Sequence, residues 1–327
     1  MEEVVRSRRI DMIHAYEWRP CLQAAFSSGR RIPLLMNVMS TDVPRFLPTH
    51  LPIIVGTPEL QQRMEAQGRR AHLLEPSVDM EHYRTTDIAA ARAGFGIPQG
   101  ALVISMVSML TTAHGNVQSA LEAIRVVDRM AFSWPVRLLV AGGGEGLEAV
   151  RQGAAAVNAH HGWTVVQPLG FQLDSSPVYE AADIVLGRGS SALKGLAHAK
   201  PLMVHGESGF WRLVDEETSE GFLHGGWYGR GGEGDRDLTR GLEALAGSLK
   251  RRTRLGAYGR HLVATRFDLE RAAERLASIY VDTALGRCDL NTMVRSLVRS
   301  AAGSARYLTS TRLGSALYRD RSVPAVA

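Results

Sequence analysis

The chain has 327 residues, 45% hydrophobic and 22% charged, with a formal net charge of +5; this length holds two α/β domains, or one with extensions, in a globular chain. No apolar run reaches the roughly 18–20 residues that span a bilayer, and residues 1–9 are charged with no apolar segment behind them, so no secretory signal is expected. The two cysteines, Cys21 and Cys288, stand far apart with no metal-ligand spacing, which fits reduced thiols in a cytoplasm.

Taken in order, residues 8–18 read as the end of a helix, a short strand and a polar loop. Residues 32–37, 52–57 and 72–75 read as further strands, with a helix carrying Leu22, Ala25 and Phe26 after the first. This opening α/β region has few strands for a domain of its own. It starts without a first glycine-rich βα turn, as a shortened or partial domain does. Residues 79–87 have linker chemistry. A second series then begins, with strands predicted at 102–107, 136–141 and 163–167 and helices at 117–130, from 146 to about 160, and 177–182. Strand and helix alternating at this spacing define a doubly wound parallel sheet, whose ligands bind at the carboxyl ends of the strands. Residues 225–237, glycine-rich and charged around Trp227 and Tyr228, read as a mobile surface loop. A helix over about 269–285 closes this domain.

The densest signal lies between Ala182 and Gly206. Residues 183–186 are a short apolar run, a buried strand. Gly187, Gly189, Ser190 and Ser191 make a tight turn in which the serines are placed to cap the helix carrying Ala192, Leu193, Leu196 and Ala197. Lys200 and Pro201 end that helix, and 202–205 is the next strand. The helix N-terminus aims backbone N–H groups at the turn, where a diphosphate can be held; a capped helix in an ordinary core has the same composition. Only three lysines (Lys194, Lys200 and Lys250) stand among the 38 basic residues, and two of them fall here. Positive charge suits a phosphorylated ligand. Nucleic acid is not expected, because the arginines are not interleaved with aromatics and no reader motif is present. No Ser/His/Asp order, phosphate-binding P-loop or His-rich metal spacing occurs, and no metal or cofactor is expected.

The tail, residues 286–327, has seven arginines and two aspartates. Leu290, Met293, Val294, Leu297, Val298, Ala301 and Leu308 fall on one face of a helix and Arg295, Arg299 and Arg306 on the other. The apolar face is expected to pack back on the protein; contact with an anionic membrane is the alternative.

In this order the motifs resemble the retaining glycosyltransferases of family 4. Leu74-Glu75-Pro76-Ser77-Val78-Asp79 is similar to their interdomain segment. Gly96-Ile97-Pro98, the run from Leu138 to Gly146, Tyr179-Glu180-Ala181-Ala182-Asp183, Ala197-His198-Ala199-Lys200-Pro201 and Arg266-Phe267-Asp268 match their second domain in order and spacing. The resemblance covers about residues 10–285 and implies a GT-B-like α/β fold of Rossmann-like doubly wound sheets. Its expected parts are an incomplete acceptor-side domain over 1–80, a nucleotide-sugar domain over 81–285 and a helical tail over 286–327. A nucleotide-diphosphate sugar is then the substrate rather than a bound cofactor, and no metal is required.

The departures fall on the donor site. Met109 and His114 stand where the family has an arginine and a lysine, and Leu186 and Lys194 where it has two glutamates. A lysine cannot accept from ribose hydroxyls as a carboxylate does, but it supplies charge to phosphate, as does the forked guanidinium of Arg188. The expected diphosphate site is therefore Gly187, Arg188, Gly189, Ser190, Ser191 and Lys194, with Arg188 and Lys194 neutralising the leaving group. Gly206, Gly209 and Phe210 stand at the donor-sugar position, with Glu207 to orient the sugar. By position Tyr16 replaces a family histidine, and Glu17 beside it is a candidate acceptor-side catalytic group; His14 reads as a strand-end residue. Trp211 and Trp227 read as buried anchors before sugar-stacking platforms. Two functions follow: a glycosyltransferase with unknown acceptor, or a non-catalytic relative that binds a nucleotide or a partner.

Overall fold

The computed structural model describes residues 2–27, 32–40, 42–286 and 288–319, which fall into two units, Met1–Glu75 with Glu274–Ala327, and Pro76–Ala273. Residues 287 and 320–327 of the tail lie outside the described residues.

In the first unit a short helix α1 (Glu2–Ser7) precedes β1 (Ile13–Tyr16), α2 (Trp18–Ser27), β2 (Leu34–Val38), β3 (Ile53–Val55), α3 (Pro58–Ala66) and β4 (Ala71–Leu73). The four strands form one parallel sheet in chain order. β2 and β3 are buried along their whole length, as parallel strands covered on both faces are. Side chains alternate across them: Leu34, Met36, Val38, Ile53 and Val55 pack with Cys21, Leu60 and Met64, whereas Leu35 and Ile54 face the other way. Thr57 caps α3 by accepting from Leu60 N–H at 3.2 Å, with Pro58 in its first turn.

The second unit runs α4 (Ile88–Gly94), β5 (Leu102–Val107), α5 (Asn116–Met130), β6 (Val136–Ala141), α6 (Leu147–His161), β7 (Val166–Gly170), α7 (Ser176–Ala181), β8 (Ile184–Gly187), α8 (Ser190–Ala197), β9 (Leu202–His205), β10 (Trp211–Leu213), α9 (Ser219–Gly225), α10 (Asp235–Ala246) and α11 (Leu249–Arg266). Its six-stranded sheet has the order β10-β9-β8-β5-β6-β7. All pairs are parallel except β10 with β9. This is the Rossmann order, reversing direction between β5 and β8. Leu102, Ile104, Met106, Leu138 and Val140 pack under α5, α6 and α10. Val185, Leu202 and Val204 face α8 and α11, and Val103 and Leu139 face α7. The antiparallel edge strand β10 is absent from the sequence pattern because three residues, Trp-Arg-Leu, are too few to show an alternation.

Two further expectations change on the structure. The glycine-rich segment 226–234 is fixed rather than mobile. Trp227 is buried and stacked on Phe222 at 5.6 Å, and the segment is tied to the β9–β10 turn by Glu207 N–H to Gly229 O (3.0 Å), Gly231 N–H to Glu207 O (2.9 Å) and Gly234 N–H to Gly209 O (2.9 Å). Many glycines there serve close backbone approach: a Cβ on Gly206 would stand 1.9 Å from Gly229 O.

The last helices are α12 (Leu269–Leu285) and α13 (Leu290–Arg319). Leu276, Ile279 and Tyr280 of α12 cover Leu35 and Ile54 of the first unit's sheet, and Arg70 pairs with Asp282. α13 packs within the first unit through Ser296, Ser300, Gly303 and Tyr307, which meets Trp18 and Phe46, while of the predicted apolar face only Met293 and Leu297 are half-buried. Ser296 and Ser300 are buried, and Leu290, Val294, Val298 and Leu308 are exposed. The reason is close approach. Ser296 Oγ accepts from Thr49 N–H at 2.8 Å, and a Cβ on Gly303 would lie 2.6 Å from Phe46 Cβ, so small residues face inward. Among the described residues no helix is long and apolar enough to cross a membrane.

Candidate functional site

A cleft of about 710 Å³ opens in the second unit at the carboxyl ends of β5, β6, β7 and β8, lined among others by Met109, His114, Gly142, Gly143, Arg188 and Lys194. It sits where the strand order reverses, the position that leaves room between neighbouring crossovers. Each strand end contributes through the turn that follows it.

The β8–α8 turn supplies the positive charge. Gly189 has φ +52 and ψ −128, with nothing within 4 Å of the place a Cβ would occupy, so the backbone here requires glycine for its dihedrals alone. Its N–H donates to Trp227 O at 2.7 Å. The serines do not cap the helix from outside, as their positions suggest. Ser190 and Ser191 lie within its first turn, and the Ser191 hydroxyl turns back, donating to Arg188 O (2.9 Å) and accepting from Arg188 N–H (3.0 Å). The residue before them, Gly189, takes the cap position.

Arg188 is half-buried, and its guanidinium donates to His114 O (2.8 Å) and Asn116 Oδ1 (3.3 Å). Burial pushes it below the ordinary arginine range, and nearby Glu207 and Tyr228 oppose that shift. Lys194, one turn into α8, holds its ammonium 4.7 Å above the Tyr83 ring, a cation–π contact. Arg188, Gly189, Ser190, Ser191 and Lys194 all line the cleft together with His114 and Met109, and no carboxylate is among the lining residues. Gly187, the end of β8, lies beneath: a Cβ there would meet Ala192 N at 3.0 Å.

The β9–β10 turn is placed differently. Gly206, Glu207, Gly209 and Phe210 do not line the cleft. Gly206 N–H donates to Phe210 O at 3.0 Å. Gly209 at φ +75 crowds Gly234, and Phe210 packs in the core beside Phe222. Glu207 reaches the cleft only through a neighbour. Its Oε1 is 3.2 Å from His114 Nδ1 and its Oε2 accepts from Arg230 at 2.5 and 2.9 Å. Those bonds, Arg230 first and His114 second, hold its carboxyl below the usual range.

Glu17 belongs to the other unit, at the β1–α2 junction with φ +66. Its carboxylate accepts from Met39 N–H (3.2 Å) and Ser40 Oγ (2.7 Å). His14, nearby on β1, stacks on Tyr16 at 4.3 Å and bonds Tyr280 OH through Nδ1 at 2.9 Å. Trp211 is a buried anchor whose Nε1–H donates to Glu122 Oε2 at 2.7 Å, and Trp227 is a second.

The sequence reading missed the remaining walls. Phe171 and Leu173, large and strongly exposed after β7, and Tyr83, Asn116, Ser175 and Tyr179 are among them. Burial raises the Tyr179 hydroxyl's pKa, keeping it neutral. The sequence does not flag Phe171 and Leu173, because the strand it predicts ends at residue 167, whereas β7 runs from Val166 to Gly170 and delivers them to the cleft.

No family model matches the sequence, and no curated protein does. In three dimensions the chain is similar to a glycosyltransferase from Rickettsia africae (TM-score 0.68, 12% identity, 87% of this chain and 80% of that one). It is also similar to HepE of Anabaena in complex with UDP and glucose (0.67, 17%, 86% and 80%), and to sucrose-phosphate synthase from Thermosynechococcus elongatus (0.67, 14%, 86% and 75%). Together with the all-parallel four-stranded sheet and the six-stranded sheet parallel but for its edge strand, these likenesses define the fold, which is GT-B.

Proposed function

We propose that this chain is a glycosyltransferase that moves a sugar, with retained configuration, from a nucleotide-diphosphate donor to an acceptor, and that the first turn of α8 holds the donor diphosphate. One observation carries the reading: Arg188, Lys194 and His114 converge on a helix N-terminus in a cleft at the strand-order reversal, with no carboxylate in its lining. The fixed cations Arg188 and Lys194 beside the first turn of α8 stabilise the charge that develops as the diphosphate leaves. In this reading they supply the neutralisation without a metal ion. That HepE was crystallised with UDP and glucose, on the same fold, supports the same ligand class here. Glu207 stands one hydrogen bond behind His114 and orients that ring toward the donor. Glu17, fixed by Met39 and Ser40, is the acceptor-side candidate.

The lack of a lining carboxylate also favours a second reading, a non-catalytic relative that binds a nucleotide without transferring its sugar. Calorimetric titration of the full chain with UDP, GDP and dTDP tests both. Binding of one nucleotide, weakened about tenfold, or about 1.4 kcal/mol, in Arg188→Ala and in Lys194→Ala, supports the diphosphate site. Failure of all three at millimolar concentration overturns it. Tight binding without transfer from the matching nucleotide sugar to any acceptor leaves the second reading standing.

A peripheral membrane contact belongs to the same proposal. The exposed stripe of Leu290, Val294, Val298 and Leu308 beside exposed Arg295, Arg299 and Arg306 has the composition of an interfacial surface. Co-sedimentation with anionic but not neutral vesicles, lost on Val298→Glu, checks it.

A further inference from the structure

Two helices of the second unit end side by side, away from the cleft. α5 starts at the cleft with Asn116, so Asp128 in its last turn lies about 18 Å further along at 1.5 Å per residue. α6 packs against α5 and ends in His160 and His161, after which Gly162 at φ +73 turns the chain away.

Adjacent residues on a helix point about 100° apart, yet both imidazoles reach one carboxylate oxygen. Asp128 Oδ1 is 2.9 Å from His161 Nε2 and 3.5 Å from His160 Nδ1, and the three ligand atoms all lie within 4.8 Å of one another. Phe132 packs on both rings, at 4.7 Å from His161 and 5.5 Å from His160. The His161 side chain is 7% exposed and that of His160 59%, so the group has a buried wall and one open side.

Two imidazoles and a carboxylate are the donor set of borderline divalent ions such as zinc. Ligand atoms 2.0–2.1 Å from a tetrahedral zinc stand roughly 3.3 Å apart, between the two separations found here. The carbonyl ends of two helices and the Asp128 carboxylate favour a cation at this spot, and the open side leaves a coordination position for water.

We propose that Asp128, His160 and His161 form a zinc-class divalent metal site that clips the carboxyl ends of α5 and α6 together. It is independent of the donor cleft. Sequence spacing conceals it because 33 residues separate Asp128 from His161.

The test uses the full chain, freed of any purification tag and stripped with chelator, titrated with Zn(II) by calorimetry and with Co(II) by visible absorption. The expected result is one equivalent bound, a metal-dependent rise in Tm, and visible Co(II) bands of a low-coordinate site. Asp128→Asn and the exposed-side variant His160→Ala should each weaken binding about tenfold or more and abolish the rise in Tm. The metal-free Tm of His160→Ala and its nucleotide binding should not change. The proposal is overturned if Zn(II) binds no tighter than millimolar. It is also overturned if stoichiometry and affinity survive both substitutions, since the ion then sits on other histidines.

Discussion

The β6–α6 and β8–α8 turns are both glycine-rich, both follow parallel strands of one sheet, and both line the cleft, yet their glycines answer to different demands. In the first, a Cβ on Gly142 would stand 1.8 Å from Ser108 O, on Gly144 2.5 Å from Leu110 O, and on Gly146 2.2 Å from a Val117 methyl. Those glycines let the turn press against the loop after β5. In the second, Gly189 meets nothing, and only its dihedrals need glycine. Space on that side is left for a ligand. The same composition thus marks a packing joint in one place and an open turn at the cleft, the one proposed to hold the diphosphate, in the other, and only the neighbours distinguish them.

The largest test of that contrast is Gly142→Ala. With φ +152 and a backbone oxygen in the way, it should cost about 4 kcal/mol, read as a lowered midpoint in urea unfolding. A value under about 1 kcal/mol would erase the distinction.

Acid should act on the α8 side. His198 follows α8 and His205 ends β9, both fully buried. Burial, aided by Lys200, lowers the pKa of His198 to about 4, and burial, aided by Arg188, lowers that of His205 to about 3. The unfolded chain therefore takes up two protons near pH 6.5 that the folded chain refuses until these lower values. Stability is complete above pH 6.5 and falls as pH drops through this window, by about 1.4 kcal/mol per pH unit for each histidine. Urea unfolding at pH 7 and pH 5 should differ by about 4 kcal/mol, and His205→Leu should reduce that difference by about half.

Arg188→Ala, expected to weaken nucleotide binding about tenfold, should leave folding nearly unchanged. Gly189→Ala should cost only about 1 kcal/mol, from backbone strain alone. Equal costs at Gly189 and Gly142 would show that both turns are packing joints.

These turns also show how much was legible beforehand. β5, β6 and β9 are found at their predicted bounds, because buried parallel strands are unbroken apolar runs between turn residues. The β8–α8 turn is legible as strand, Gly/Ser, helix, and five of the six residues named there line the cleft. At the β9–β10 turn the position after a strand suggests sugar contacts; there the backbone folds under the 226–234 segment, and Glu207 meets the cleft lining through His114. The packed face of α13 was hidden for a related reason. A count of apolar side chains finds the greasy face of a helix, whereas Ser296, Ser300 and Gly303 win the contact by letting backbones come close.

The hydrogen bond from Gly189 to the Trp227 carbonyl has an optical consequence. It fastens the backbone carrying a buried indole, stacked on Phe222, to the β8–α8 turn. A ligand that draws that turn toward itself also shifts the surroundings of Trp227, and with them the wavelength and yield of its emission. Occupancy of the cleft can then be followed by the protein's own fluorescence, with no dye attached and no radiolabelled sugar.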